Sequence, residues 1–139
     1  KVLKVLGILT KRGKGKQLQY GTNHAHPLLI PLQTFLEETT LPDDRRVVLA
    51  FRGIRGISLL VTTGMLVRET RGSVDLLVVT SRPHNTNLAR AAKAVEHMLA
   101  LPLRYAVLRP REYVERSEAN DRLIRDVFEF SHKVILGKR

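Results

Sequence analysis

The sequence predicts an α+β fold: a mixed sheet flanked by helices. Two observations point to the class, and a third divides the chain. Residues 57–63 (ISLLVTT) and 74–80 (VDLLVVT) are nearly continuous apolar runs, as expected of strands covered on both faces. Residues 86–100 place Leu88, Ala91, Ala92, Val95, Met98 and Leu99 at helical spacing, so a helix is expected to cover one of those faces. The charge is unevenly spread: residues 1–36 hold six Lys or Arg and no acid, and all 13 acids follow.

Composition sets the bounds. With 139 residues, 43% hydrophobic and 27% charged, the chain suits one domain, or a small domain with an appendage, and can bury a core. There is no cysteine, which excludes disulfides and thiolate metal sites and fits a reducing, cytoplasmic setting. No apolar run approaches the ~18–20 residues of a membrane span, so no membrane partner is expected. Residues 1–9 are too short and too basic for a signal peptide. The chain does not start with Met, so the natural protein is expected to extend upstream. A net charge of +11 suggests a polyanionic partner, with nucleic acid first. The plainer alternative is a solvated basic surface.

In chain order, residues 1–6 look like a helix end with Val2, Leu3, Val5 and Leu6 apolar, stopped by Gly7. Residues 8–10 form a short strand. Residues 11–16 (KRGKGK) form a loop whose alternating glycines permit turn geometry, and residues 17–20 alternate polar and apolar as a strand does. Together they predict a β-hairpin with a cationic tip. Residues 21–26 form a linker in which His24 and His26 are better read as loop histidines than as a metal pair, because no third ligand is near. Pro27 suits a helix start, and Leu28, Leu29, Leu32, Phe35 and Leu36 give an amphipathic helix to about residue 38.

Residues 43–51 carry two signals. Val47 to Phe51 has strand composition, but Asp43 and Asp44 complement a helix N-terminus, and Val47, Val48, Phe51 and Ile54 keep helical spacing; helix is preferred. After the two central strands and the helix at 86–100, residues 103–108 form a third strand. Short helices follow at 110–116 and 118–129, and residues 134–136 form a closing strand or extended tail. Tyr105 is expected in the core and His132 in a structural role. Asp121 with Arg125, and Arg122 with Asp126, read as a solvated ladder of i,i+4 pairs.

Leu3, residues 6–9 (LGIL), residues 11–16, Tyr20 and Asn23 carry a first resemblance. Residues 1–40 resemble the back half of a winged helix-turn-helix domain: recognition-helix end, basic wing hairpin and linking helix. The resemblance implies double-stranded DNA as partner, with Lys4, Lys11, Arg12, Lys14 and Lys16 contacting phosphates, which adds affinity without sequence information. The first two helices of such a domain are absent from this chain. The half-domain is therefore expected to be trimmed, or to pack on the second domain or on another chain.

A strand, a glycine, a short loop and an acid-hydrophobic-acid triplet on the next strand are the signature of the DNA polymerase beta-like nucleotidyltransferases. Residues 41–139 resemble the minimal members of that superfamily. Gly64 matches the family glycine, Val74 the hydrophobic middle of the triplet and Asp75 its second acid. Met65 stands where the family has serine, and Ser73 where it has the first acid. The third strand carries no carboxylate. The family's chemistry is two-metal phosphoryl transfer on hard oxygen ligands, and one carboxylate is too few. Glu69 could restore a ligand, and Asp75 could pair with an arginine such as Arg104 instead of a metal. With TGML at 63–66, SVDLLVV at 73–79, Tyr105–Val107, Glu112–Tyr113, residues 121–127 and residues 131–136, the chain is similar to winged-helix regulators with a degenerate nucleotidyltransferase-like domain.

The resemblance implies a DNA-binding transcriptional regulator whose second domain, a pseudoenzyme, serves as scaffold, dimerisation surface or ligand sensor, with no catalytic residue, metal or cofactor and a homodimer as a second partner. The competing expectation is an active nucleotidyltransferase using Mg²⁺ and ATP to transfer a nucleoside monophosphate to a protein or nucleic acid. A single-strand RNA or protein-interaction module is disfavoured, because aromatics are 5% of residues and no stacking platform is visible.

Overall fold

The computed structural model describes residues 2–13, 19–99 and 101–138, without the side chains of 37–40. It divides into two compact units, Lys1–Thr40 and Leu41–Arg139. Among the described residues no helix is long and apolar enough to cross a membrane.

In the first unit a single helical turn, α1 (Val2–Val5), leads into a two-stranded antiparallel hairpin, β1 (Leu9–Arg12) and β2 (Gln19–Thr22), followed by α2 (Leu29–Thr40). Gly7 adopts φ +76°, the left-handed conformation that ends a helix, and Asn23 Nδ2 donates to its carbonyl at 3.0 Å. Three expectations shift here. Lys11 and Arg12 are not in the turn: they extend β1, opposite Tyr20 and Gln19, because the ladder runs further than the glycines suggest. Pro27 precedes α2 in a turn in which the Leu29 N–H donates to the His26 carbonyl (3.0 Å). The apolar face of α2 is narrower than its spacing implies: Leu29 and Leu32 are half-buried, while Leu28, Ile30, Phe35 and Leu36 are exposed.

The second unit is α+β. Its elements are α3 (Asp44–Phe51), β3 (Ile57–Thr63), a 3₁₀ turn (Gly64–Val67), β4 (Leu76–Thr80), α4 (Thr86–Leu99), β5 (Tyr105–Leu108), α5 (Pro110–Glu118), α6 (Arg122–Glu129) and β6 (His132–Leu136). The sheet is mixed, in the order β5-β4-β3-β6. β3 pairs antiparallel with both β4 and β6, and β4 pairs parallel with β5.

Alternation along the strands explains the unbroken apolar runs, because successive side chains go to opposite faces and both faces are covered. Leu60, Leu76 and Val78 pack with Val47 and Phe51 of α3 and with Leu88, Ala91, Ala92, Val95 and Leu99 of α4. Leu59, Val61, Leu77 and Val79 pack with Ile124 and Val127 of α6, with Tyr113 of α5 at the margin. The helical alternative for residues 43–51 is the observed one, with Val47 and Phe51 turned inward.

Other expectations are corrected. Tyr105 is 42% exposed rather than core, because it opens the outer strand β5, which has a neighbour on one side only. Asp121 does not pair with Arg125. It caps α6, accepting from the Leu123 N–H at 3.0 Å, and meets Arg116 at 3.4 Å. Arg125 turns instead to Glu129 at 3.7 Å, while the Arg122–Asp126 pair forms at 3.8 Å. The capping role wins because an aspartate just ahead of the first helical residue satisfies an otherwise orphaned N–H.

Candidate functional site

The site is built where β3 ends and the approach to β4 begins. Gly64 is buried at φ +54° and opens the 3₁₀ turn that carries Met65. A side chain at Gly64 would overlap the Asp75 carboxylate and come within 2.7 Å of the Val74 carbonyl, so the glycine is required by close approach as well as by φ. Residues 73–75 are not yet part of the regular strand. The Asp75 carbonyl accepts from the Thr63 N–H (2.9 Å), and the Asp75 N–H donates to the Arg104 carbonyl (2.7 Å). Met65 is half-buried and Ser73 exposed.

Asp75 is fully buried, and both its carboxylate oxygens are engaged. Oδ1 accepts from the Met65 N–H (2.9 Å) and Arg104 Nη2 (2.8 Å). Oδ2 accepts from Arg104 Nε and from the Arg104 backbone N–H, each at 3.0 Å. The remaining Arg104 nitrogen, Nη1, donates to the Gly72 carbonyl at 3.0 Å. The two-point fork of a guanidinium on a carboxylate is the strong form of this pair. Burial pushes the Asp75 carboxyl up, but the Arg104 hydrogen bonds, the two backbone N–H donors and the nearby positive charge outweigh it and hold the group below its usual range. Arg104 is correspondingly raised by the same contact.

The residues of the expected motif come together: Gly64, Met65 and Asp75 meet directly, with Ser73 two residues upstream of Asp75. Of the two roles open to Asp75, the geometry is that of the arginine partner. The donor set does not fit Mg²⁺, which needs an octahedron of oxygens; here one carboxylate faces four N–H donors. Among the described residues no three His, Cys, Asp or Glu side chains come together as a metal site, and no buried side-chain nitrogen or oxygen lacks a partner.

Glu69 does not supply a second ligand. It is 7% exposed and is gripped by Arg71, whose Nε meets Oε1 and Nη2 meets Oε2, each at 2.9 Å, with the Arg71 N–H at 3.1 Å from Oε1. The Arg71 guanidinium lies 4.6 Å over the Phe130 ring. The Arg71 side-chain and backbone donors lower the Glu69 carboxyl from 4.5 to about 2. The folded state thus favours the ionised form. That contribution is complete above about pH 4.5 and is lost as pH falls toward about 2. The thermal midpoint of the parent is expected to drop across this window and that of Glu69→Gln to drop less steeply; parallel curves would remove Glu69 from the acid response.

The remaining candidate residues lie elsewhere. Lys4, Lys11 and Arg12 are exposed in the first unit; Lys14 and Lys16 lie outside the described residues. His24 Nε2 is 3.2 Å from Thr22 Oγ1, and His26 Nδ1 accepts from the Leu28 N–H at 3.2 Å, both local loop contacts. His132 Nδ1 lies 2.8 Å from the Phe130 carbonyl, and its ring meets Phe128 edge-on. The Glu69–Arg71 fork escaped the sequence reading; an acid and a cation two residues apart just after a strand end were its only local signal. Hollows of about 710 Å³ beside α3 and β6, and about 570 Å³ between α5 and α6, are lined by none of the motif residues. No protein-family model, curated protein or solved structure matches the chain.

Proposed function

We propose that the chain is a cytoplasmic DNA-binding transcriptional regulator. Its basic, winged-helix-like first unit contacts duplex phosphates through Lys4, Lys11, Arg12, Lys14 and Lys16. Its second unit is a nucleotidyltransferase-like scaffold without catalysis, available as a homodimerisation or ligand-sensing surface. The observation that carries the non-catalytic half is the engagement of Asp75: the one carboxylate at the position of the family's metal ligands is spent on Arg104 and two backbone N–H groups. The nucleic-acid half is supported by the acid-free basic run of residues 1–36, with Lys11 and Arg12 exposed on a hairpin strand.

The test is duplex binding measured across a salt series. The parent is expected to bind with a steep negative dependence on salt. The variant carrying Lys11→Ala, Arg12→Ala, Lys14→Ala and Lys16→Ala should bind more weakly on every sequence tried, with a log–log slope flatter by about three to four units. If it binds as the parent does, the hairpin is not the DNA contact.

A further inference from the structure

We infer a second phosphate-binding surface, at the end of the sheet opposite Asp75: a row of cations formed by Arg109, Arg82, Arg55 and Lys138 that fits the backbone of duplex nucleic acid. It deepens the DNA-binding reading above and rests on it for the class of ligand.

Register places the row. β4 and β5 run parallel, with Val79 opposite Leu108, so Arg109 follows β5 at the level of Thr80, and Arg82 follows β4 two residues further on at the same end of the sheet. β3 enters at the same end: Ile57 pairs with Thr80, and the Ser81 N–H donates to the Gly56 carbonyl at 3.0 Å. The approach is tight enough that a side chain on Gly56 would lie 2.5 Å from Ser81 Oγ and 3.7 Å from Arg82 Cγ, which sets Arg55 beside Arg82. β6 exits there too, with Gly137 against the Ser58 carbonyl and Lys138 next in the chain. The row therefore follows the strand order β5-β4-β3-β6, one cation per strand. Arg52, the C-cap of α3, is a fifth cation three residues before Arg55.

Two features separate this row from an ordinary solvated surface. All five cations are exposed and, like Arg45, Arg46, Arg68, Arg90 and Lys93, have no ion pair or side-chain hydrogen bond to a described residue, so they are available to a phosphate without setting the row apart. The segments closing this end, residues 52–56, 81–85 and 109–111, contain no Asp or Glu. The acids of the sheet and of α3 and α4 gather at the other end: Asp44 meets Lys133 beside Thr62, Glu96 accepts from the Leu103 N–H, and Asp75 and Glu69 flank the 3₁₀ turn. The sheet with α3 and α4 is thus polarised along its strands, with Glu112 in the first turn of α5 held by Arg116, and such polarity orients a polyanion.

The chemistry favours phosphodiester over other anions. Three of the four row members are arginines, whose planar fork matches phosphate oxygens. Strands lie ~4.8 Å apart, so the row spans about 14 Å. A duplex strand presents a phosphate per about 3.4 Å of axis, so the row is long enough to reach more than one phosphate of a strand. No Phe, Tyr or Trp lies in the closing segments, so there is no platform for unstacked bases, and the duplex is the form that fits.

The test uses the full chain and a fixed DNA duplex, titrated between about 50 and 200 mM salt. The row variant carries Arg55→Ala, Arg82→Ala, Arg109→Ala and Lys138→Ala. A control removes the same charge from the helix surfaces with Arg45→Ala, Arg46→Ala, Arg90→Ala and Lys93→Ala. All eight side chains are exposed or half-exposed, and a thermal midpoint confirms folding of each variant. The row variant should flatten the log–log salt slope by about three to four units and the control by less than about one. A row variant with the parental slope overturns the inference, as does a control that loses as much. A row variant that loses binding to anionic lipid vesicles while keeping DNA affinity also overturns it. The hairpin variant runs in parallel: if it keeps parental binding while the row variant loses it, the hairpin reading falls and the row stands; the reverse outcome removes the row alone.

Discussion

Replacing Asp75 with alanine is expected to destabilise the second unit by about 3–5 kcal/mol, chiefly through the backbone donors that lose their buried acceptor. The change leaves the Met65 and Arg104 backbone N–H groups without an acceptor beside a fully buried position, at about 1–3 kcal/mol for each orphaned donor. Arg104 is 47% exposed, so its guanidinium can turn to water, which keeps the loss from climbing higher. In a unit of this size each kcal/mol moves the thermal midpoint by about 4–8 °C, so a fall of more than about 12 °C is expected. Asp75→Asn keeps the shape but turns an amide nitrogen toward donors, and should cost about 2 kcal/mol, the penalty of a buried donor left unpaired. A carboxylate kept only for catalysis would behave oppositely, with its amide variant as stable as the parent.

Gly64→Ala should cost about 3 kcal/mol, through two terms. A left-handed backbone at a residue with a Cβ costs about 1–2 kcal/mol. The rest comes from the overlap of the new methyl with the Asp75 carboxylate and its 2.7 Å approach to the Val74 carbonyl, which forces the carboxylate off its donors. The two effects share a contact, so they should not add. In an Asp75→Ala background the glycine substitution is expected to cost about 1 kcal/mol less than in the parent, a coupling typical of residues in direct contact. Thermal or denaturant unfolding of the four proteins measures it. Full additivity would mean that Gly64 and Asp75 are not in the contact described.

How much of this was legible in the sequence depends on how local each signal was. β3 and α4 were readable almost to the residue, because a run covered on both faces and a 3.6-residue apolar period are each written in one stretch of chain. The start of β4 came out two residues late, at Leu76, where the regular ladder begins; ahead of it the Asp75 backbone bonds to Arg104 and Thr63. The pairing of Asp75 with an arginine was foreseeable from the lone carboxylate and the nearby third strand. That β6 would return to β3 was not, since its short run reads equally as a tail. Tyr105 was misplaced because periodicity does not say which strand lies outermost. The cationic row was invisible for a similar reason: Arg55, Arg82, Arg109 and Lys138 share no local pattern and come together only through strand order.

Asp75 is a structural anion, engaged by Arg104 and two backbone N–H groups. The most direct measurement is the thermal midpoint of the parent and of Asp75→Asn, with and without Mg²⁺ and ATP, alongside label transfer from ATP. Ligand that binds the folded state raises the midpoint. The expected result is a parent whose midpoint is unmoved by Mg²⁺ and ATP and that transfers no label, next to an Asp75→Asn variant that melts lower under both conditions. A parental midpoint raised by Mg²⁺ and ATP, with label transfer, both abolished in an otherwise equally stable Asp75→Asn, would contradict it.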